Sequence, residues 1–336
     1  MNKKEAYFYK IRDDGKVLCQ LCPQACVLEE NKMSPCGTRM LIDGKLRALS
    51  WGQVIAGNID PVEKKPLYHF MPGSEVYSIG TAGCNMHCKN CQNSDISQAS
   101  NLVNPSRIIT PAQIVDDLLS QGIQSIAYTY TEPTIFYEMM YETAELAKRK
   151  SIKNIVVTNG LINPEPLRKL LPLIDAVNID MKVFNDKTHR ELTGSSLKPV
   201  LKTIETVHRN SPHLELTMLL IPGISDKEEE LDAFFTWMTE RGMQEVPLHI
   251  SRFYPTYRLT DVPPTPVRRV FEVREKALNK GIQYVYPGNV SGGDKENTLC
   301  PDCGTLAISR QGFSGVNHMK NGKYCRRCNR KIIETA

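Results

Sequence analysis

Cys84, Cys88 and Cys91 share one short loop with the spacing C-x3-C-x2-C. They offer three thiolates where a tetrahedral zinc site or a cube-shaped iron–sulfur cluster takes four. Zinc fits poorly, because structural zinc sites are closed by a fourth protein ligand. A cluster with one iron left free of protein can instead bind and reduce a small molecule. The loop follows an apolar run at 75–80. That places it at the C-terminal end of an expected strand, where parallel α/β proteins keep their chemistry.

The other cysteines fall into two groups. Cys300 and Cys303, with Cys325 and Cys328 twenty-one residues further on, form paired C-x2-C knuckles of zinc-ribbon type. Four thiolates there suit zinc or a single rubredoxin-type iron. Cys19, Cys22, Cys26 and Cys36 are irregularly spaced and suit zinc or an auxiliary cluster, zinc being preferred. Four, three and four account for all eleven cysteines, so no thiol is left for the core. The start, from Met1 to Tyr7, has no apolar signal region. The cysteines are therefore read as metal ligands in a reducing compartment, and the expected location is the cytoplasm. No stretch approaches the ~18 apolar residues of a membrane span, so no membrane association is expected.

The chain has 336 residues and a formal net charge of +5, a mild excess that gives little ground for a polyanionic partner. Its basic residues concentrate at Arg326, Arg327, Arg330 and Lys331, around the last knuckle. Nucleic acid or an acidic protein is open as a partner for that module, although such ribbons more often staple a terminus. A nonenzymatic metal-binding or nucleic-acid-binding protein is the alternative of a different class.

Elements must place these groups. Strands are expected at 75–80, 125–129, 154–158, 176–180, 215–221, 248–251 and 283–286, with helical patterns between them. Thr110-Pro111, Asn163-Pro164 and Thr265-Pro266 each put a capping residue before a proline, and Ser225 with Glu228 reads as a capping box. Strand-then-helix repeated about six times predicts an α/β fold with a parallel sheet. Breaks near 57–65 and 291–297 divide the chain into a cysteine-rich module at 1–60, a core at 61–290 and a ribbon-like module at 291–336.

The segments from Ser78 to Cys84 and from Cys91 to Ser97 resemble the cluster loop of radical S-adenosylmethionine (SAM) enzymes. Within them the chain resembles the pyruvate formate-lyase activating branch, and more closely the radical SAM member of the AmmeMemoRadiSam system. The runs Asp60 to Phe70, Pro247 to Pro255 and Tyr284 to Val290 carry the likeness along nearly the whole chain. The resemblance implies a partial (β/α)6 barrel flanked by small cysteine-rich metal-binding modules. It also implies a [4Fe–4S] cluster on Cys84, Cys88 and Cys91. Reductive cleavage of SAM would then give a 5′-deoxyadenosyl radical that abstracts hydrogen from a substrate not yet identified.

By the same resemblance Glu132 meets the SAM amino group, while Thr158, Asn159, Asp180 and Lys182 meet its carboxylate and ribose. Residues 219–223 would lie near the adenosine. His249, Arg252 and Tyr254 face the substrate end. Four positions depart from the pattern: Asn90 stands where an aromatic residue is usual, Tyr130 and Thr131 replace glycines, and Val157 replaces an acid. Implied partners are an electron donor such as flavodoxin or ferredoxin, and Memo-type and AMMECR-type proteins. Activation of a glycyl-radical enzyme is the alternative reaction.

Overall fold

A computed structural model describes residues 4–99, 108–210 and 212–333; Met1, Asn2 and Lys3 of the opening run lie outside them. The β-branched runs assemble into one eight-stranded sheet. Its strands are β1 (Ala56–Pro61), β2 (Glu75–Gly80), β3 (Ser125–Tyr128), β4 (Lys153–Thr158), β5 (Ala176–Met181), β6 (His213–Leu220), β7 (Leu248–Arg252) and β8 (Val285–Gly288). Each strand lies beside its sequence neighbour, from β1 at one edge to β8 at the other. β2 to β8 are parallel, and β1 runs antiparallel to β2.

An order that never reverses belongs to a barrel wound in one direction; a doubly wound sheet reverses in its middle. β1 and β8 do not pair, so the barrel is open. Six strand–helix units run from β2 to β7, and β8 completes them as a seventh parallel strand. The expected partial (β/α)6 barrel is present. β1 is an addition: the boundary anticipated after residue 60 falls inside it, and all six of its residues pair with β2. Five of the six are only partly covered or exposed on this edge, so the strand lacks the apolar run that marks the others.

The barrel helices are α1 (Pro111–Ser120), α2 (Tyr137–Arg149), α3 (Pro164–Leu170), α4 (Asp186–Thr193), α5 (Leu197–His208), α6 (Glu228–Glu240) and α7 (Val267–Asn279). Thr110 caps α1 with a reciprocal box: its hydroxyl accepts from Gln113 N, and the Gln113 side chain accepts from Thr110 N. Such a cap contributes about 1 kcal/mol. The other anticipated caps are corrected. Asn163 precedes α3 but its amide donates to Gln20 O at 2.7 Å. Ser225 and Thr265 lie before the true N-caps, Lys227 and Pro266. Their hydroxyls bond the end of β6 instead, Ser225 donating to Leu219 O and Thr265 to Leu220 O. Backbone groups leaving a sheet need partners, and these side chains supply them.

Between β1 and β2 the chain turns into the barrel. Val62, Leu67 and Phe70 bury themselves against Val76, Ala127, Ile155 and Ala176 of β2 to β5. Tyr68 N and His69 N donate to Glu215, a fully buried carboxylate that also accepts from His213 and His249. This plug fills the barrel around the early residues of its strands and leaves the chemistry to the opposite ends.

Both flanking modules pack on the barrel. The first contains a small sheet of strands Tyr9–Ile11, Val17–Cys19 and Val27–Leu28 and the hairpin Arg39–Ile42 with Lys45–Ala48. Its Leu21, Leu41 and Leu46 join the main core cluster. The last module is an antiparallel sheet of Thr298–Leu299, Leu306–Gln311 and Ser314–Asn317. Arg310 fastens it to the plug, donating to Tyr68 O at 2.5 Å with its guanidinium 4.1 Å from the Tyr68 ring centre. Among the described residues no helix is long and apolar enough to cross a membrane.

Candidate active site

The cysteine loop leaves the end of β2 and is held by backbone contacts from three sides. Gly83 N donates to Ile96 O, His87 N to Thr193 O and Lys89 N to Leu192 O, the last two at the end of α4. Arg258 N donates to Lys89 O from beyond β7. Gly83 has φ +97°, and a Cβ there would sit 2.3 Å from Cys36 O, so only glycine fits. Cys91 Sγ lies 3.1 Å from Ser97 Oγ, and Cys84 Sγ accepts from Met86 N and, at 3.7 Å, from Asn159 Nδ2.

The three loop thiols are grouped less tightly than the ribbon cysteines. Among the described residues, only the ribbon cysteines place ligand atoms all within 4.8 Å of one another. A tetrahedral zinc with bonds of about 2.3 Å would hold its sulfurs under about 4 Å apart. Burial pushes the Cys84 thiol well up and Cys88 to about 11, so the protein alone does not ionise them. Metal binding is what converts such buried thiols to thiolates.

The next strand ends close around Cys84. Glu132, just beyond β3, is fully buried. Its Oε1 accepts from Thr134 N, Thr134 Oγ1 and Thr158 Oγ1 at 2.6–2.9 Å, and its Oε2 from Asn159 N at 2.8 Å. Burial raises its pKa while these four donors oppose the rise. Its oxygens are thus engaged by its own chain, and the carboxylate fixes the end of β4. Asn159 then reaches the loop, donating to Asn85 Oδ1 at 2.9 Å, and Asn85 returns a bond to Leu161 O. Asn85 had no spacing or charge signal to single it out.

Tyr130 resolves one departure from the family pattern. Its φ is +69°, a left-handed conformation natural to the glycine it replaces. The strain is held by neighbours: its hydroxyl donates to Asp60 Oδ2 at 2.8 Å and accepts from Asn58, while its carbonyl accepts from Asn93 of the cysteine loop. The backbone course therefore survives the loss of glycine.

Asp180 and Lys182, at and just beyond the end of β5, form an ion pair of 2.7 Å. Burial opposes the Lys182 charge, but Asp180 and the nearby Cys88 and Cys91 together raise its pKa. The pair thus stands beside the cysteine loop. Asn90, in that loop, has a buried Oδ1 with no hydrogen-bond partner among the described residues, an acceptor available to a bound group.

His249 is not at the substrate end: it is 2 % exposed, on the second residue of β7, and its Nε2 is 2.6 Å from Glu215. A strand's pleat alone does not say which half of a barrel a residue occupies. Arg252 and Tyr254 do reach the far end of β7, where the guanidinium donates to the Tyr254 hydroxyl at 2.9 Å and Tyr254 is 44 % exposed. Residues 219–223 are divided, with Leu220 and Ile221 buried in the core.

At the C-terminus the four ribbon sulfurs converge, with Cys300–Cys328 and Cys303–Cys325 contacts of 3.5 and 3.6 Å. The basic cluster there is smaller than its sequence implies, because Arg330 pairs with Glu245 and Asp302.

The radical SAM superfamily model matches residues 78–235, from within β2 to within α6. The chain belongs to the radical SAM superfamily. An uncharacterized protein of Methanocaldococcus jannaschii is 41% identical over 331 residues, 98% of each chain. A protein of the same organism named as a glycyl-radical enzyme activating enzyme is 30% identical over 155 residues, 44% of this chain and 62% of its own. This radical SAM protein is thus related to activating enzymes, matching under two thirds of that relative's length. Streptococcus suis SuiB bound to precursor peptide SuiA shares the fold, with a TM-score of 0.51 at 13% identity over 69% of this chain and 52% of that one.

Proposed function

We propose that this protein cleaves SAM reductively and uses the resulting radical to abstract hydrogen from a substrate. Cys84, Cys88 and Cys91 would hold a [4Fe–4S] cluster with one iron open to the SAM amino and carboxylate groups. Bound there, cluster and SAM together supply a 5′-deoxyadenosyl radical. The observation that carries the reading is the convergence of three strand ends on the cysteine loop: Glu132 with Thr158, Asn159, and the Asp180–Lys182 pair.

Each of these residues has work that its contacts define. Glu132 sets negative charge behind the site of the SAM ammonium and holds Thr158 and Asn159 in place. Lys182 offers a cation to the SAM carboxylate, and Asp180 an acceptor to the ribose. Asn90 Oδ1 can accept from the adenine amino group where relatives stack an aromatic ring. Arg252 and Tyr254 form the rim that a substrate meets, and the plug closes the opposite side against water.

Relatedness to activating enzymes supports one target, a glycine of a partner enzyme. The runs that resemble the AmmeMemoRadiSam system support another, a substrate handled with Memo-type and AMMECR-type partners. Either needs a low-potential donor of the flavodoxin or ferredoxin class. A cytoplasmic setting suits eleven free cysteines and such a donor.

Mass spectrometry for 5′-deoxyadenosine tests the reading, with anaerobically reconstituted protein, SAM and a strong reductant. Product is expected from wild type and not from a variant with Cys84→Ala, Cys88→Ala and Cys91→Ala. Wild type that takes up no more iron and sulfide than this variant overturns the proposal.

A further inference from the structure

The proposed reaction draws one electron from a carrier outside the chain for each SAM cleaved. Arg252 and Tyr254 give the end of β7 to the substrate, so the carrier needs a second face. A groove of about 270 Å³ lies outside the barrel, where the first module meets α3 and α5. Pro23, Ile162, Leu167 and Pro199 give it apolar walls, and Lys198 and Lys202 stand among them. The strand that leads into it is β4, three strands along the sheet from β7.

The groove backs onto the cysteine loop. On one wall Ile162 follows Leu161, whose carbonyl accepts from Asn85 Nδ2 at 2.7 Å and whose N–H donates to Asn159 Oδ1 at 2.8 Å. On the other wall Pro23, between Cys22 and Cys26, precedes Gln24, whose amide donates to Asn85 O at 2.9 Å. Asn85 adjoins Cys84, and Asn159 Nδ2 lies 3.7 Å from the Cys84 sulfur. Two routes, each crossing a single hydrogen bond to Asn85, thus join the groove to a proposed cluster ligand. The walls are also tied to each other. Asn163 N donates to Leu21 O at 3.0 Å, and its side chain donates to Gln20 O at 2.7 Å. The groove is therefore formed before any partner arrives.

Its charge is one-sided. Lys198 is exposed and has no ion pair among the described residues. The Lys202 side chain is 61% exposed and stands 3.9 Å from Glu205, a carboxylate that Arg241 already holds at 2.6 Å. Among the described residues that line the groove none is acidic. Cations beside a concave apolar surface complement a partner that carries acids around an apolar tip.

We infer, on the strength of the proposed reaction, that this groove docks a one-electron carrier of the flavodoxin class, in which the apolar edge of a flavin projects from an acidic face. The flavin edge takes the apolar walls, and the carrier's acids meet Lys198 and Lys202. One electron leaves the reduced flavin and enters the site on the cysteine loop. The carrier is oxidised by that one electron, and no bond forms or breaks at the groove.

The deciding variant is Lys198→Glu with Lys202→Glu. Its control, of equal charge change, is Lys150→Glu with Lys295→Glu, two exposed positions outside the groove. Quenching of flavin fluorescence, as purified flavodoxin is titrated with each protein, reads binding without turnover. The groove variant should bind at least about tenfold more weakly than wild type, with the control close to wild type. Salt at about 0.5 M should weaken wild-type binding in the same direction. Formation of 5′-deoxyadenosine by the groove variant should fall about tenfold with reduced flavodoxin and stay at the wild-type rate with dithionite. Equal flavodoxin affinity in groove variant and wild type overturns the inference, as does an equal loss in the control. So does a ferredoxin, in place of flavodoxin, whose binding depends on the two lysines. Wild type that cleaves no SAM even with dithionite overturns the proposed reaction instead, and the titration still decides the groove.

Discussion

Arg39 and Glu138, ninety-nine positions apart, form a forked ion pair in which Nη2 reaches both carboxylate oxygens at 2.7 and 3.0 Å. Each side chain is 1% exposed. The pair joins the first module to α2, and Glu138 also accepts from Tyr7 N at 2.6 Å. Arg39→Met strands a buried carboxylate and should cost about 3–5 kcal/mol in urea unfolding. Arg39→Met with Glu138→Leu should recover much of that loss. A single variant as stable as wild type would show that the module is held by its apolar contacts alone.

Lys182 stands between Asp180 and the cysteine loop. Lys182→Met leaves Asp180 unpaired beside the cluster site, which should lower the cluster's reduction potential. 5′-Deoxyadenosine formation should fall by roughly tenfold, about 1.4 kcal/mol of barrier. A redox titration followed by electron paramagnetic resonance checks the first effect separately from the second.

Tyr130 holds a left-handed backbone that its hydroxyl contacts secure. Tyr130→Gly keeps the conformation without strain, whereas Tyr130→Ala keeps the strain and loses the contacts. The alanine variant should be less stable by about 1 kcal/mol. Equal melting of the two variants would remove strain from the account.

Acid should loosen the plug. Burial lowers the His69 pKa from 6.5 to about 3, with Glu215, Arg310, His213 and His249 as its charged or titratable neighbours. Between those values the unfolded chain binds a proton that the native one does not. Stability therefore falls as pH drops below 6.5, by up to about 1.4 kcal/mol per pH unit. Burial alone would raise the Glu215 pKa, yet hydrogen bonds from His213 and His249 hold it far below 4.5, which steepens the loss below that pH. His69→Gln should flatten the urea midpoint between about pH 6.5 and 5.

The ribbon metal should be separable from the rest. Cys303→Ser should remove about one metal ion per chain, measured by elemental analysis. Early proteolytic cleavage should then fall within 312–330, while the Arg310–Tyr68 contact keeps the strand Leu306–Gln311 on the plug. Unchanged metal content would mean that three thiols suffice.

Local patterns carried the barrel and the ligands. Seven parallel strands announced themselves as short β-branched runs because both faces of such a strand are buried. The eleven cysteines sorted into three groups by spacing alone, since ligand spacing along the chain is a local property. What needed partners far away in sequence was not legible. β1 is an exposed edge with no apolar signature, and Ser225 and Thr265 look like caps until the chain ends they serve are beside them. His249 reads as a site residue until Glu215 from the neighbouring strand accounts for it. The left-handed Tyr130, the Arg39–Glu138 pair and the contact of Cys36 with Gly83 exist only after folding. Sequence determined which atoms could bind metal; tertiary structure decided which of them meet, bringing the four ribbon sulfurs within 4.8 Å of one another and the ends of three strands around the cysteine loop.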